Sequence, residues 1–489
     1  MKISSIHWGE DSAENDPLLL KYFINSEALN RLEKGDKQIV VGRKGAGKSA
    51  ARRKLESHFA ERENTFVTSI TPSPTTVRTI TGDREIAEKF GEEIFFTYVW
   101  LRHIATSCLA ESGRNASAVT VSGSKAFARD VARTVNRSNN GLIEAVTDLV
   151  NRIKVEGGEH GSLGINIEAR LRDLTDAESL CQHLAQLAID GERFVVCVDD
   201  LDHGWSNTPI TNAFLLGLLA AAQRLRAVVP SLAIYLFIRE DVYNILVEQT
   251  QHSDKYRNIE QIRWNPEKLK DVLVKRISFN IDQTGAFAPP DPFDAVFPQM
   301  IGTSNTDNWL MERTLLRPRE LIQLCRLYTE SVDDERPDAE KLKEAEKSYS
   351  EWKLEDIANE FTHQYPDIGK LFSFWKGKFF RCKYHLSKSE ITAMLERAVR
   401  ECRIDREWWQ EIASAPDDSV VPLLEILYEI GFLGDFIKGG QGGSKTQYAF
   451  ESRHEPRFDE VQIHPCFRKA IGTVERIRST DDKSVNKEI

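Results

Sequence analysis

The sequence predicts an α/β fold: a doubly wound parallel sheet with a helical lid, followed by a mostly α C-terminal region with a winged-helix-like domain. Three apolar runs predict the sheet, Ile39–Val41, Phe194–Val198 and Leu232–Ile238. Each is short, continuous and rich in β-branched or aromatic residues, the composition of strands covered on both faces. Helix-forming stretches follow the first run, from about Ser49 to Ala60, and separate the second from the third, from about Ile210 to Val228. The order strand, helix, strand, helix, strand is that of a parallel sheet.

The joint between the first strand and its helix carries the chemistry. Gly42, Arg43, Lys44, Gly45, Ala46, Gly47, Lys48 and Ser49, with Ala50 after them, spell the phosphate-loop pattern G-x-x-x-x-G-K-[ST]. Three glycines let the backbone curl so that its N–H groups converge on an anion, and the helix N-terminus adds its dipole. In that setting Lys48 neutralises the β/γ oxygens and Ser49 offers a hydroxyl to Mg²⁺. The expected ligand is a nucleoside triphosphate, taken as ATP with Mg²⁺, although nothing in the loop separates ATP from GTP. The chain is thereby read as a P-loop NTPase.

The second apolar run ends in acid, Asp199-Asp200. At the carboxyl end of a strand beside the phosphate loop, Asp199 is expected to hold Mg²⁺ through a water, and Asp200 to orient or deprotonate the attacking water. The alternative is a pair of acids that caps the next turn. The third run ends at Arg239-Glu240-Asp241, where Arg239 is expected either to sense the γ-phosphate or to pair with its acidic neighbours.

These residues carry a family resemblance over about residues 10 to 330: the chain resembles a AAA+ or STAND-type P-loop ATPase. Asp199-Asp200-Leu201-Asp202-His203-Gly204-Trp205 is similar to the extended Walker B of such bacterial proteins, and Arg239 to the STAND sensor arginine. Leu269 to Arg276 resembles the first lid helix of the origin-recognition initiator branch, and Arg317-Pro318-Arg319-Glu320-Leu321 the start of its sensor-2 helix. The resemblance implies that Arg319 touches the γ-phosphate. Ala13 to Asp16 and Tyr22-Phe23, ahead of the loop, resemble the opening of ATPases on mobile and defence islands. Two departures stand out: Asp200 replaces the usual AAA+ Glu, and no arginine finger is recognisable. The resemblance implies ATP hydrolysis, a homo-oligomer whose neighbour completes the site, and a protein effector, such as a nuclease, in antiphage defence. A nucleotide-switched DNA-binding protein of the initiator or transposition-regulator kind is the other reading.

Composition narrows the class without choosing between these. A net charge of −10 and a pI near 5.7 exclude a global pull toward polyanions, so DNA contact would need a local patch. The N-terminus lacks an apolar core segment and no run reaches the length needed to span a bilayer, so neither a signal peptide nor a membrane partner is expected. Seven cysteines without C-x-x-C pairs or zinc spacing read as reduced core residues of a cytoplasmic protein.

Residues 1–260 are expected to form the nucleotide core, with a helical insertion at about 85–190, residues 261–335 the lid, and residues 336–489 the C-terminal domain. Glu85 to Ala110 has helical period, whereas Glu111 to Gly141, rich in Ser, Asn and Gly, reads as a loop, either solvated or lying near DNA or a neighbour. A strand is expected at Gly164–Glu168. Past the charged junction Val332–Asp338 come helices around Ala339–Phe361 and Ile391–Arg403. A further helix about Leu423–Leu433, a glycine turn at Gly439–Gly443 and a strand at Gln447–Phe450 then suggest the winged helix. Lys438, Lys445, Arg453, Arg457, Arg468 and Lys469 give this end a basic excess. The first four are the candidates for phosphate contacts at the wing, with protein docking as the other use. His464-Pro465-Cys466 is read as structural, because no third group orients an imidazole–thiol pair.

Overall fold

The computed structural model describes residues 2–10, 12–82, 93–116, 123–135, 142, 146, 176–202, 204–250, 256–285, 290–332, 336–416, 419–439, 443–451 and 454–474. The expected strand at 164–168 lies outside them. The chain divides into two compact units, one of residues 10–263 and one of residues 1–9 with 264–489.

In the 10–263 unit the elements run α1 (Glu27–Glu33), β1 (Ile39–Gly42), α2 (Lys48–Ala60), β2 (Thr65–Ile70), α3 (Pro74–Gly82), α4 (Glu93–Arg114), α5 (Gly123–Thr134), α6 (Ala177–Ile189), β3 (Arg193–Val198), α7 (Pro209–Val228), β4 (Leu232–Arg239), α8 (Glu240–Gln249) and β5 (Ile259–Gln261). Among the described residues the five strands form one sheet in the order β2-β3-β4-β1-β5, parallel throughout. The doubly wound α/β fold is thus as expected, with β2 and β5 joining the three apolar runs that predicted the sheet. β2 reads TFVTSI and is mostly half-buried at one edge, and β5 has three residues at the other, so neither offers an apolar run.

Alternation along the inner strands builds a core on each face. Tyr235 and Phe237 of β4 pack with Val195 and Cys197 of β3 against Leu29 and Leu32 of α1 and Leu55 and Phe59 of α2. Ile234, Leu236 and Ile238 face the other way with Val196 and Val198, onto α4, α6, α7 and α8. Trp100 of α4, fully buried, donates its indole N–H to the Phe214 carbonyl of α7 at 3.0 Å.

Most of the described part of the stretch expected as a loop from Glu111 is instead helical, in the last turn of α4 and throughout α5. Phe127, Ala128 and Val131 supply an apolar face that the Ser/Asn/Gly composition of the longer window hides. Lys125, inside that stretch, donates to Glu192 Oε1 at 2.6 Å and Ser112 Oγ at 2.9 Å, so its charge is engaged within the fold.

The other unit holds α9 (Pro266–Thr284), β6 (Met300–Ile301), β7 (Ser304–Asn305), α10 (Thr306–Glu312), α11 (Pro318–Ser331), α12 (Ala339–Glu360), α13 (Ile368–Lys378), β8 (His385–Ser387), α14 (Lys388–Glu401), α15 (Glu407–Ala413), α16 (Val421–Glu429), β9 (Leu433–Ile437), β10 (Lys445–Gln447), β11 (Glu460–Ile463) and α17 (Pro465–Ile471). The segments read as lid and C-terminal domain share one apolar core, which also takes in Ile3, Ile6 and Trp8. Strands β10-β9-β11-β8 make an antiparallel sheet in that order. The expected strand at 447–450 lies earlier, at Lys445–Gln447, because the Tyr448 N–H turns to Glu451 Oε2 at 3.1 Å.

Candidate nucleotide site

The phosphate loop leaves β1 at Gly42 and re-enters regular structure at Lys48. Gly45 and Gly47 have φ of 75° and 93°, left-handed values that a side chain disfavours, and Gly47 caps α2. The Ala46 N–H bonds back to the Arg43 carbonyl at 3.1 Å, which tightens the curl. Lys48 Nζ folds over the loop and donates to the Gly42 carbonyl at 3.1 Å and the Arg43 carbonyl at 3.4 Å. Burial lowers its pKa, Asp202 and Asp199 pull it back up, and Arg239 adds to the fall. Ser49 and Ala50 follow in the first turn of α2.

Strand register brings the other residues to the same carboxyl end of the sheet. β1 lies directly against β4 with Gly42 opposite Arg239. Asp199 stands one residue beyond β3, itself paired to β4, and is 1% exposed. Asp200 adopts a left-handed φ of 58°, and its N–H donates to Asp199 Oδ1 at 2.9 Å. The Arg239 fork is held by Asp241, Nε to Oδ1 at 3.0 Å and Nη2 to Oδ2 at 2.6 Å, while Nη1 reaches Asp202 Oδ2 at 3.4 Å. A loop of backbone donors, a lysine, a buried carboxylate and an arginine therefore share one end of the sheet, where open α/β sheets place their ligands.

Sequence reasoning passed over Arg52, which is 6% exposed. Its three nitrogens take three carboxylates: Nε donates to Asp199 Oδ2 at 3.0 Å, Nη1 to Glu56 Oε1 at 2.9 Å and Nη2 to Glu14 Oε1 at 2.9 Å. Burial opposes its charge, but Glu56 and Asp199 outweigh burial and hold its pKa above the ordinary arginine value. The one available signal was spacing, since Arg52 lies four residues after Lys48 and so on the same side of α2.

The residues fit a nucleotide by the glycine-built cradle, and Ser49 and Asp199 are hard oxygen donors of the kind Mg²⁺ takes. Among the described residues no group of three or more His, Cys, Asp or Glu converges to hold a metal. A divalent ion here would be carried chiefly by phosphate oxygens and water, as Mg²⁺ commonly is.

The remaining candidates belong to the other unit. Arg319 stands in the first turn of α11, half-buried, with Arg317 as the N-cap residue. Arg317 is drawn into a buried ionic cluster, with Glu360 at 2.7 Å and Glu320 at 3.4 Å, and Glu320 in turn meets Lys353 at 2.8 Å. At the expected wing, Lys438 is ion-paired to Glu460, Lys445 is exposed, and Arg453 falls outside the described residues. Arg468, counted in the basic excess, points inward instead: Nε donates to the Ile463 carbonyl at 2.8 Å and the guanidinium lies 3.8 Å from the Tyr384 ring centroid. His464 Nδ1 accepts from the Cys466 N–H at 3.2 Å with the thiol 3.0 Å away, and burial pushes that thiol's pKa well up. The His464 side chain caps α17, one form of the structural role read from the sequence. All seven cysteines are free, and among the described residues no helix is long and apolar enough to cross a membrane.

Residues 267–358 match a family model described as the FunZ-associated C-terminal helical domain, a span that runs from α9 to α12. Over 510 residues the chain is 22% identical to a transposon gamma-delta 80.3 kDa protein of Escherichia coli (strain K12), an alignment covering 98% of this chain and 70% of that protein. The solved structure of the Aeropyrum pernix ORC2 protein, in ADPNP–ADP complexes, aligns with 87% of this chain and 88% of its own at 10% identity and a TM-score of 0.38. A score that low carries nothing over to this chain.

Proposed function

We propose that this chain is a P-loop ATPase that binds ATP with Mg²⁺ at Gly42–Ser49 and hydrolyses it with Asp200 as the water-orienting residue. The observation that carries the reading is the convergence at the carboxyl end of the sheet of the glycine loop, Lys48, the buried Asp199 and the Arg239 paired opposite Gly42. Ser49 and Asp199 would hold the ion, which draws charge from the transferring phosphoryl oxygens. Lys48 would exchange its two loop carbonyls for phosphate oxygens, and Arg239 would shift part of its fork from Asp241 toward the γ-phosphate. The test is nucleotide affinity and phosphate release by the wild type and by Lys48→Ala. Binding that survives in the variant counts against the loop as the site.

The biological output is proposed as nucleotide-driven assembly that controls something else, since no nuclease or protease motif is recognisable in the chain. Two outputs are open to this design. One is a homo-oligomer that licenses an effector in antiphage defence, which rests on the sequence resemblance alone. The other is a nucleotide-switched regulator acting on DNA, and the transposon protein similar to nearly the whole chain favours it. The order α13, β8, α14, α15, α16, β9, β10 and β11 supports a winged-helix reading of the C-terminal region, with Lys438, Lys445, Arg453 and Arg457 at its wing. Mass photometry with ATP, ADP and no nucleotide tests assembly: a monomer throughout, with undiminished turnover at high dilution, rules out a neighbour-completed site.

A further inference from the structure

The Asp199 carboxylate already has a cation. Arg52 Nε lies 3.0 Å from Oδ2, and Oδ1 accepts the Asp200 N–H at 2.9 Å, so both oxygens of the residue expected to serve Mg²⁺ are engaged by protein donors. The guanidinium is buried, and its other two nitrogens are held by Glu56 and Glu14. The flanking Arg53 donates to the Asp16 carbonyl at 2.8 Å and also to that of Ala13. Two consecutive arginines of α2 thus grip residues 13–16 while one of them reaches the Asp199 carboxylate. A permanent positive charge this near a divalent site opposes the ion by simple Coulomb repulsion, and less water lies between them to screen it.

We infer that Arg52 is an internal counter-cation that competes with Mg²⁺ for Asp199, and that Glu14 and Glu56 set how strongly it competes by sharing its charge. Arg52 is on this account a positioning residue rather than a catalytic one. The N-terminal segment, through Glu14, becomes a control on metal recruitment: whatever draws Glu14 from Arg52 leaves the guanidinium more fully committed to Asp199. The inference rests on the reading of Gly42–Ser49 and Asp199 as a Mg²⁺–nucleotide site.

The test uses the full chain and a fluorescent ATP analogue, with affinity measured in EDTA and in excess Mg²⁺. The quantity read is the ratio of the two dissociation constants, which needs no turnover. In Arg52→Gln the ratio is expected to shift about tenfold toward Mg²⁺ (about 1.4 kcal/mol), because the competing charge is gone. Arg52→Lys keeps the charge and should stay near the wild type. Glu14→Gln, at a partly exposed side chain, should move the ratio several-fold the opposite way. An unchanged ratio in Arg52→Gln, or one that falls because Asp199 has lost its anchor, overturns the inference. If Arg52→Gln fails to fold, the decision passes to Glu14→Gln, where an unchanged or Mg²⁺-favouring ratio overturns it. A wild type that binds no nucleotide in either condition overturns the nucleotide reading itself, and this inference with it.

Discussion

Asp200 occupies a left-handed backbone position, φ 58°, that Asn and Asp tolerate better than other L-residues. Asp200→Asn should therefore keep fold and nucleotide affinity while removing the charge that draws the water's proton, with turnover down on the order of 10²-fold or more. Undiminished phosphate release would show that another group positions the water. Asp200→Ala adds backbone strain of about 1 kcal/mol or more, visible in urea denaturation. Lys48 yields a pH prediction. Burial lowers its pKa in the free protein, whereas a bound phosphate favours the charged form and raises it. Below the lowered value the lysine is charged with or without ligand, and affinity is flat. Above it, binding must take up a proton, so affinity falls as pH rises until the bound-state pKa is passed. Titration calorimetry of the wild type in buffers of different ionisation enthalpy would detect the proton uptake, and an observed enthalpy independent of the buffer across the pH range would overturn the prediction.

At the scale of elements, α4 and α7 pack backbone to backbone. A Cβ on Gly217 would stand 2.6 Å from Phe96 Cβ and 2.8 Å from the Phe96 carbonyl carbon, so Gly217→Ala must push the helices apart. The expected destabilisation is about 1–3 kcal/mol by urea denaturation, against roughly 0.5–1 kcal/mol of helix propensity gained. Equal or greater stability would show that the helices are free to separate. The β9–β10 hairpin, proposed as a wing, has its own expectation. Lys438 is paired to Glu460 and Lys445 is exposed, so Lys445→Glu should weaken DNA binding and flatten its salt dependence more than Lys438→Glu does. Absence of binding to duplex and single-stranded DNA at low salt would reassign this surface to a protein partner.

At the scale of the whole chain, the first nine residues belong with 264–489 while the 10–263 unit occupies the sequence between. Trp8, 2% exposed, donates from Nε1 to Thr329 Oγ1 at 2.9 Å, and Asn280 bonds the His7 backbone at both its N–H, 2.8 Å, and its carbonyl, 3.0 Å. Trp8→Ala removes a large buried ring and orphans the Thr329 partner, which should cost about 3–5 kcal/mol. The loss should appear in the melting of the 264–489 unit, whereas ATP, as the proposed ligand of the 10–263 unit, should stabilise that unit by mass action. A Trp8→Ala protein whose two transitions are both unmoved would show that residues 2–9 are a dispensable tail.

The local features were legible because they are written in adjacent residues. Gly45 and Gly47 announce a curled backbone, continuous apolar runs announce β1, β3 and β4, and Pro318 opens α11 as helix-start chemistry requires. The edge strands were not, since β2 and β5 are specified by pairing to neighbours rather than by their own composition. Nor was α5, whose apolar face is narrow and whose surroundings look like loop. Above all, the sequence places Asp199 and Arg52 147 residues apart. Only the parallel register that sets β3 within reach of α2, and the burial that forces a charge there to find partners, decided that the expected metal-side carboxylate carries an arginine of its own.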